Sequence, residues 1–556
     1  MDLAAVTVRR VWRVRTTPAR AASAVALGLL AACGSEPADR TAAADVPRSG
    51  GTAIVAFNAE MGSFNPLINT DQNATEVNYY MLFTPLVQYD SAFEPVPYLA
   101  QSWELEPEGV TFHLRRDVRW HDGRPVTAHD VAFTFERAKD PQTASILSSA
   151  YLGLVASAEV LDSFTVRFQF TRPHARPLDG FWWPPVPRHI LADVPPSEMI
   201  RAGFNRRPVG SGPFRFVSWE SGESVTLERN PDFAASLGGP PPLDRVIFRF
   251  IGEPATLLSE TLTGQVDING SLFPHQAEAV ERARGVRLVR FPSREYYYIG
   301  WNVRRHPLDD ARVRRALTMA IDRRQLIDVL LFGLAQPATG TIAPWHPLFT
   351  AIEPLPYDPA RADSLLRAAG WIDRDGDGVR EDAEGAPLAF TLMTNHENPV
   401  RVDIAQVVQS QLTELGAAVE VRTIEWQSLL SRHRARDFDG VVQSWVLDNF
   451  RVDPTALFHS SQAERPGSYN RSGLRDARVD SLMEAAIATT NADSARALWA
   501  EFSLALQEAQ PFTFLMWLEE LAAVSERLQG IEMDARGMLV TASRWWIGEQ
   551  GRERSM

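Results

Sequence analysis

The sequence predicts an α/β protein of two or more domains, and three observations carry that prediction. First, the 556 residues are 45% hydrophobic, 22% charged and 10% aromatic, a composition of folded domains that excludes disordered, collagenous and multi-span membrane classes. The chain is also too long for a single core. Second, some segments alternate apolar and polar residues with the period of half-buried strands. Third, these are interleaved with segments of helical period bounded by capping residues.

Taken in chain order, the N-terminus is a targeting segment. Arg9, Arg10, Arg13, Arg15 and Arg20 precede the apolar run 21–32, too short for a membrane span but suited to the apolar region of a secretory signal. The run closes with Leu30-Ala31-Ala32 followed by Cys33, the chain's single cysteine. This resembles the lipobox of bacterial lipoproteins, in which the cysteine is lipidated and becomes the first mature residue. Residues 1–32 are therefore expected to be a signal peptide, and 33–49, without apolar periodicity, a flexible tether.

Beyond the tether, Val110, Phe112 and Leu114 alternate with Thr111, His113 and Arg115 as a strand. Phe164, Val166, Phe168 and Phe170 alternate with Thr165, Arg167 and Gln169 as another. Thr127-Ala128-His129-Asp130 reads as a capping box opening a helix through Phe135. A second helix follows Asp309-Asp310, burying Val313, Ala316, Leu317 and Ala320. A third has Asp358 as N-cap, Pro359 in its first turn, Ala362, Leu365, Leu366 and Ala369 inward, and a stop at Gly370. A fourth runs from Pro399 to Gly416 with Val400, Ile404, Val407, Val408 and Leu412 inward. His121-Asp122-Gly123 is expected to be a turn with positive φ at Gly123, and Gly210-Ser211-Gly212 a hinge or turn.

Charge and motifs exclude several functions. Lysine plus arginine number 56 against 69 acidic residues, a net charge of −13, and the expected signal removes five arginines and one aspartate, leaving a still more acidic mature chain. Such a surface does not suit gripping nucleic acid by its phosphates. One cysteine allows neither an internal disulfide nor a thiolate zinc cage. The sequence has no H-E-x-x-H, Walker A loop or dinucleotide fingerprint, and Gly210-Ser211-Gly212 lacks the spacing of a nucleophile elbow. No enzymatic activity is expected.

One acidic string carries metal chemistry. Asp373-Arg374-Asp375-Gly376-Asp377-Gly378 with Glu384 satisfies the spacing D-x-D-x-D-G-x5-E. Carboxylates of Asp373, Asp375, Asp377 and Glu384, the Val379 carbonyl and a water held by Glu381 would form the hard oxygen shell of a structural Ca²⁺. Arg380 stands where such loops usually place an apolar residue. The competing reading is a solvated acidic turn between a helix and a strand.

A series of strings resembles a known family. Tyr98-Leu99-Ala100-Gln101-Ser102-Trp103, Trp120-His121-Asp122-Gly123, Gly210-Ser211-Gly212-Pro213-Phe214, Leu227-Glu228-Arg229-Asn230-Pro231, Gly264-Gln265-Val266-Asp267 and Val313-Arg314-Arg315-Ala316-Leu317 occur in the order found in family 5 solute-binding proteins of bacterial ABC importers. The resemblance covers about residue 50 to the C-terminus. It implies a type II periplasmic binding protein fold, with two lobes, three structural domains, a hinge and an interlobe ligand cleft. Domain I would use 50–90, 205–300 and 516–550, domain II 91–204, and the second lobe 301–515.

Trp445-Val446-Leu447-Asp448-Asn449 resembles the segment whose aspartate accepts a peptide's α-ammonium, so Asp448 is the expected anchor with Trp445 and Asn449 beside it. A loop cap is the alternative role for Asp448. Trp426 and Asn302 are further candidates for the cleft wall, and Arg432 for a carboxylate anchor. No cofactor is required beyond the candidate Ca²⁺. The implied partners are a peptide, an ABC permease and ATPase, and the membrane through lipid on Cys33, with no nucleic acid and a monomeric state. The location would be extracytoplasmic, the periplasmic space in a Gram-negative cell. Receptors for oligosaccharides or metal chelates, and an extracellular peptide-processing enzyme, are the alternatives.

Overall fold

The computed structural model describes residues 47–447 and 450–548. Its frame is a mixed sheet with the strand order Ala418–Ile424, Ala389–Asn395, Gly440–Val446, Val286–Trp301, Phe512–Ser525, Ile268–Asn269, Thr52–Phe57, Arg245–Phe250, Ser224–Arg229, Phe214–Glu220. Ala335–Pro337 also pairs with Phe512–Ser525. The two long central strands join the wings of this sheet. Val286 to Pro292 lie against Ser525 to Glu519 on one side, whereas Tyr296 to Gly300 lie against Trp517 to Phe512 on the other.

The register slips between Pro292 and Tyr296, so Ser293, Arg294 and Glu295 form a bulge where the strand passes from wing to wing. Bulges bend a strand, raise its local twist and re-aim its side chains. Here the bulge is the point at which both wings can address one space.

In the first wing, Thr52–Phe57 runs parallel to Arg245–Phe250, and the Phe57 and Phe248 rings stack with centroids 6.1 Å apart. A separate antiparallel sheet has the order Ala100–Glu106, Gly109–Leu114, Thr165–Phe170, Val155–Asp162. Val110, Phe112, Leu114, Val166, Phe168 and Phe170 are its buried face, as alternation predicts. The expected helix spans Ala128–Lys139, one turn beyond Phe135. The Asp130 carboxylate accepts from both the Thr127 N–H and hydroxyl, each at 2.9 Å.

The second wing contains a succession of strand, helix and strand: Ala389–Asn395, Pro399–Glu414 and the parallel Ala418–Ile424. Ile404, Val408 and Leu412 are buried, while Val400 and Val407 are half-buried at the edge of the same cluster. Helix Ala311–Met319 starts at Asp310, which accepts from the Arg312 N–H, and Pro359–Ala368 starts at Asp358, which accepts from Arg361. Of the latter helix, Ala362 and Leu366 are buried, and Leu365 and Ala369 lie at its margin.

Gly123 takes φ +90° in the predicted turn, with Asp122 accepting from the Arg124 N–H. Gly210 and Gly212 also serve a packing role. A side chain at either would run into the backbone of Met81 and Leu82, and Ser211 N–H and Gly212 N–H both donate to the Leu82 carbonyl at 2.8 Å. These glycines permit close approach of two chain segments. No helix among the described residues is long and apolar enough to cross a membrane.

Candidate ligand cleft

Three segments form most of the wall of a cavity of about 390 Å³. Val286–Trp301 supplies Tyr296, paired directly with Trp445 on Gly440–Val446. The segment 341–346 supplies Thr341, Ile342, Ala343 and His346, and the loop after Gly440–Val446 supplies Leu447 and 450–457. A second cavity of about 220 Å³ shares Ala150 and Leu447 with the first and is lined by Asn78, Tyr79 and Arg294 among others. Residues from both wings therefore face one another across this space.

The walls are mostly apolar with a few converging polar groups, the pattern of a small-ligand site. Trp445 packs edge-on against Tyr469, with centroids 5.2 Å apart. Tyr296 and Thr341 line the larger cavity, and their buried Oη and Oγ1 have no hydrogen-bond partner among the described residues. Asn78, 1% exposed, has neither end of its amide paired among the described residues. Burial pushes the Tyr296 phenol far above its ordinary ionisation range, so it is a neutral donor. Buried polar atoms without partners are costly and uncommon, and their clustering on cavity walls marks where a polar ligand would complete them.

His346 lines the larger cavity but is already committed. Its Nε2 faces the Phe450 carbonyl at 2.8 Å and its Nδ1 accepts from the Leu348 N–H at 3.0 Å. Burial lowers its pKa to about 4, so it stays neutral and structural, fixing the loop at Phe450.

The expected site residues fall in different places. Trp445 lines the cavity. Asp448 and Asn449 lie outside the described residues; Leu447 and Phe450, on either side of them, both line the larger cavity. Asn302 lines neither of these cavities: its amide donates to the Arg436 and Phe438 carbonyls at 3.0 and 2.9 Å, tying the end of the long strand to that turn. Arg432 pairs at the surface with Asp437 at 2.9 Å. Trp426 packs at the start of helix Trp426–Ala435, with the Arg401 guanidinium 5.5 Å over its ring. Cys33 lies outside the described residues.

In the acidic loop, carboxylate oxygens of Asp373, Asp375, Asp377 and Glu381 converge within 4.8 Å of one another. Glu381 takes the place foreseen for Glu384, whose N–H is held by Asp382 at 3.0 Å. The reason is local: Glu381 and Ile372 form an isolated antiparallel bridge, exchanging backbone hydrogen bonds at 3.0 and 3.1 Å, which folds the loop back on itself. Asp373, Asp375 and Asp377 each accept backbone N–H groups, Val379 N–H donating to Asp377 at 2.8 Å. Arg380 turns inward, bonded to the Leu415 carbonyl at 2.7 Å and Asp363 at 2.5 Å. The four carboxylates fit a hard divalent cation, which would offset their mutual repulsion and bridge the hairpin.

A two-winged α/β frame joined by two continuous strands, with a polar-studded cavity at the join, defines a two-lobed solute-binding protein of the type II periplasmic class. Comparison with known proteins makes this specific. Residues 94–465 match the model of the bacterial extracellular solute-binding proteins, family 5, and the chain belongs to that family. It is 31% identical over 540 residues to the oligopeptide-binding protein AppA of Bacillus subtilis, covering 94% of this chain and 97% of that protein. The structure of AppA from Bacillus subtilis with a nonapeptide matches with a TM-score of 0.74 at 28% identity, covering 91% of this chain and all of that one. NikZ from Campylobacter jejuni, solved with Ni(L-His), matches with a TM-score of 0.74 at 26% identity, covering 89% and 99%.

Proposed function

We propose that this chain is the extracytoplasmic receptor of an ABC importer, capturing peptides between its lobes and delivering them to a membrane permease and its ATPase. The single observation that carries the reading is the cavity of about 390 Å³, joined to a second, in a chain whose similarity to an oligopeptide-binding protein extends over 94% of its length. Unpaired Tyr296, Thr341 and Asn78 groups suit a ligand whose recurring handles are backbone amides. Asp448 remains the proposed partner of the peptide α-ammonium, and lipid on Cys33 the proposed anchor. The division into 50–90, 205–300 and 516–550, then 91–204, then 301–515 belongs to the same proposal, as does a structural Ca²⁺ on Asp373, Asp375, Asp377 and Glu381.

A metal chelate is the second reading, favoured by the likeness to NikZ. His346, which lines the larger cavity, has both nitrogens engaged, so a metal would have to arrive with its coordination already complete. Incubation with a defined peptide mixture followed by mass spectrometry tests the proposal. A receptor retains peptide stoichiometrically and releases it intact; progressive loss of peptide would indicate an enzyme, and retention of none would refute peptide capture. Cys33→Ala should move the protein from the membrane to the soluble fraction.

A further inference from the structure

Five arginines among the described residues are buried: Arg294, Arg314, Arg323, Arg471 and Arg536. Four have guanidinium groups with partners. Arg314 donates to the Gln510 and Leu308 carbonyls at 2.9 and 2.5 Å, and Arg323 to the Leu355 carbonyl. Arg471 meets His433 Nδ1 at 2.9 Å, and Arg536 grips Asp534 at 2.6 Å. Arg294, 6% exposed, uses its backbone carbonyl to accept from the Leu447 N–H, but its guanidinium makes no hydrogen bond or ion pair among the described residues.

Position explains why this guanidinium is held in reserve. Arg294 is in the bulge between the wings and lines the cavity of about 220 Å³. Asn78, at the start of a π-helical turn Asn78–Leu82, lines the same cavity with both amide atoms unpaired. Bulges and π turns both re-aim side chains and recur at functional sites. The carboxylates whose charge Arg294 feels are otherwise engaged: Glu76 accepts from the Leu539 N–H at 3.0 Å, and Glu520 from the Ser293 hydroxyl at 2.9 Å.

We propose that Arg294 and Asn78 form a carboxylate-binding subsite in the cavity of about 220 Å³, which takes an anionic group of the bound peptide. A buried guanidinium without a partner is unfavourable, and its planar fork suits a carboxylate bidentately. The Asn78 amide nitrogen donates to the same group, while its oxygen accepts a neighbouring peptide N–H. This inference rests on the peptide reading. The carboxylate can come from the peptide's C-terminus or from an acidic side chain.

Calorimetric titration of the full chain separates these sources with four probes: pentaalanine, its C-terminal amide, and that amide with Asp or with Asn at the centre. Wild type should bind one anionic member at least about tenfold more tightly than its neutral partner. Free acid over amide identifies the C-terminus, and Asp over Asn a side chain. Arg294→Gln should erase the preference, Arg294→Lys should keep part of it, and Asn78→Asp should weaken the anionic probe alone, with melting curves confirming that each variant is folded. Equal affinities across the four probes, or a preference that survives Arg294→Gln, would overturn the subsite while leaving peptide binding intact. If none of the four binds, the peptide reading fails, and N-acetylglycinate becomes the probe. A rise in melting temperature in wild type that is absent in Arg294→Gln would then support the anion subsite, and equal responses would refute it.

Discussion

The ring of Phe450 meets that of Tyr89 nearly edge-on, with centroids 4.6 Å apart. It also lies 5.0 Å from Trp182 and 5.4 Å from Phe93. Phe450 follows the strand Gly440–Val446 of one wing, yet it is packed into the aromatic cluster of residues 89–93 and 182, which belongs with the other. A second link between the wings is the bond from Ala175 N–H to the Ile487 carbonyl at 3.1 Å. Phe450 thus ties the cavity wall to the other wing, the contact a closed conformation needs.

Phe450→Ala should therefore weaken closure more than it weakens folding. Truncating a buried phenylalanine costs about 3–5 kcal/mol in the state that buries it. If the open state leaves Phe450 exposed, ligand affinity should fall at least tenfold, and small-angle scattering should report a larger ligand-free particle. Unchanged affinity and size would show that the contact persists when the lobes part.

The buried hydroxyls on the cavity wall give a second expectation. Tyr296→Phe and Thr341→Ala each remove a polar group that lacks a partner in the described chain. If the ligand completes these groups, each change should cost about 0.5–1.5 kcal/mol of binding, or about 2- to 10-fold in affinity, with melting temperature unchanged or raised. Titration and thermal melts check both. A loss of stability with no loss of affinity would assign the hydroxyls to the fold.

Much of the frame was legible in the sequence because its signals are local. Alternation marked Gly109–Leu114 and Thr165–Phe170, and Asp130, Asp310 and Asp358 announced their helices through caps. The cleft was less legible, since its walls come from distant segments. Asn78, Arg294 and Thr341 carry no motif, and they converge only through the wing-to-wing strand and its bulge. Asn302, Trp426 and Arg432 show the converse: they were expected at the cleft but are engaged in hydrogen bonds, an ion pair or packing elsewhere. Positions in a loop pattern also cannot tell Glu381 from Glu384, because the Ile372–Glu381 pairing that decides between them depends on backbone folding.

That distinction is itself testable. Calcium should raise the melting temperature by linkage, and Asp373→Ala with Glu381→Ala should abolish the gain, whereas Glu384→Ala should preserve it. Identical melts in calcium and chelator would leave the loop as a solvated acidic hairpin.

Glu76 should make stability depend on pH. Its pKa rises from an ordinary 4.5 to about 7, chiefly through burial, opposed by the Leu539 N–H. Between those values the folded chain keeps a proton that the unfolded chain releases. The contribution is therefore full below about pH 4.5 and is lost as pH rises through 7, on the order of 3 kcal/mol in all. Denaturant midpoints from pH 5 to 8 should decline in wild type and flatten in Glu76→Gln, which keeps an acceptor for Leu539. Parallel profiles would remove Glu76 as the source.

Native mass spectrometry of the protein as purified, compared with its denatured mass, addresses peptide capture most directly. The account predicts a bound species of one ligand per chain that fragments as a peptide on release. A retained sugar or metal chelate, with peptides neither retained nor able to displace it, would contradict that account and leave the family fold serving another solute.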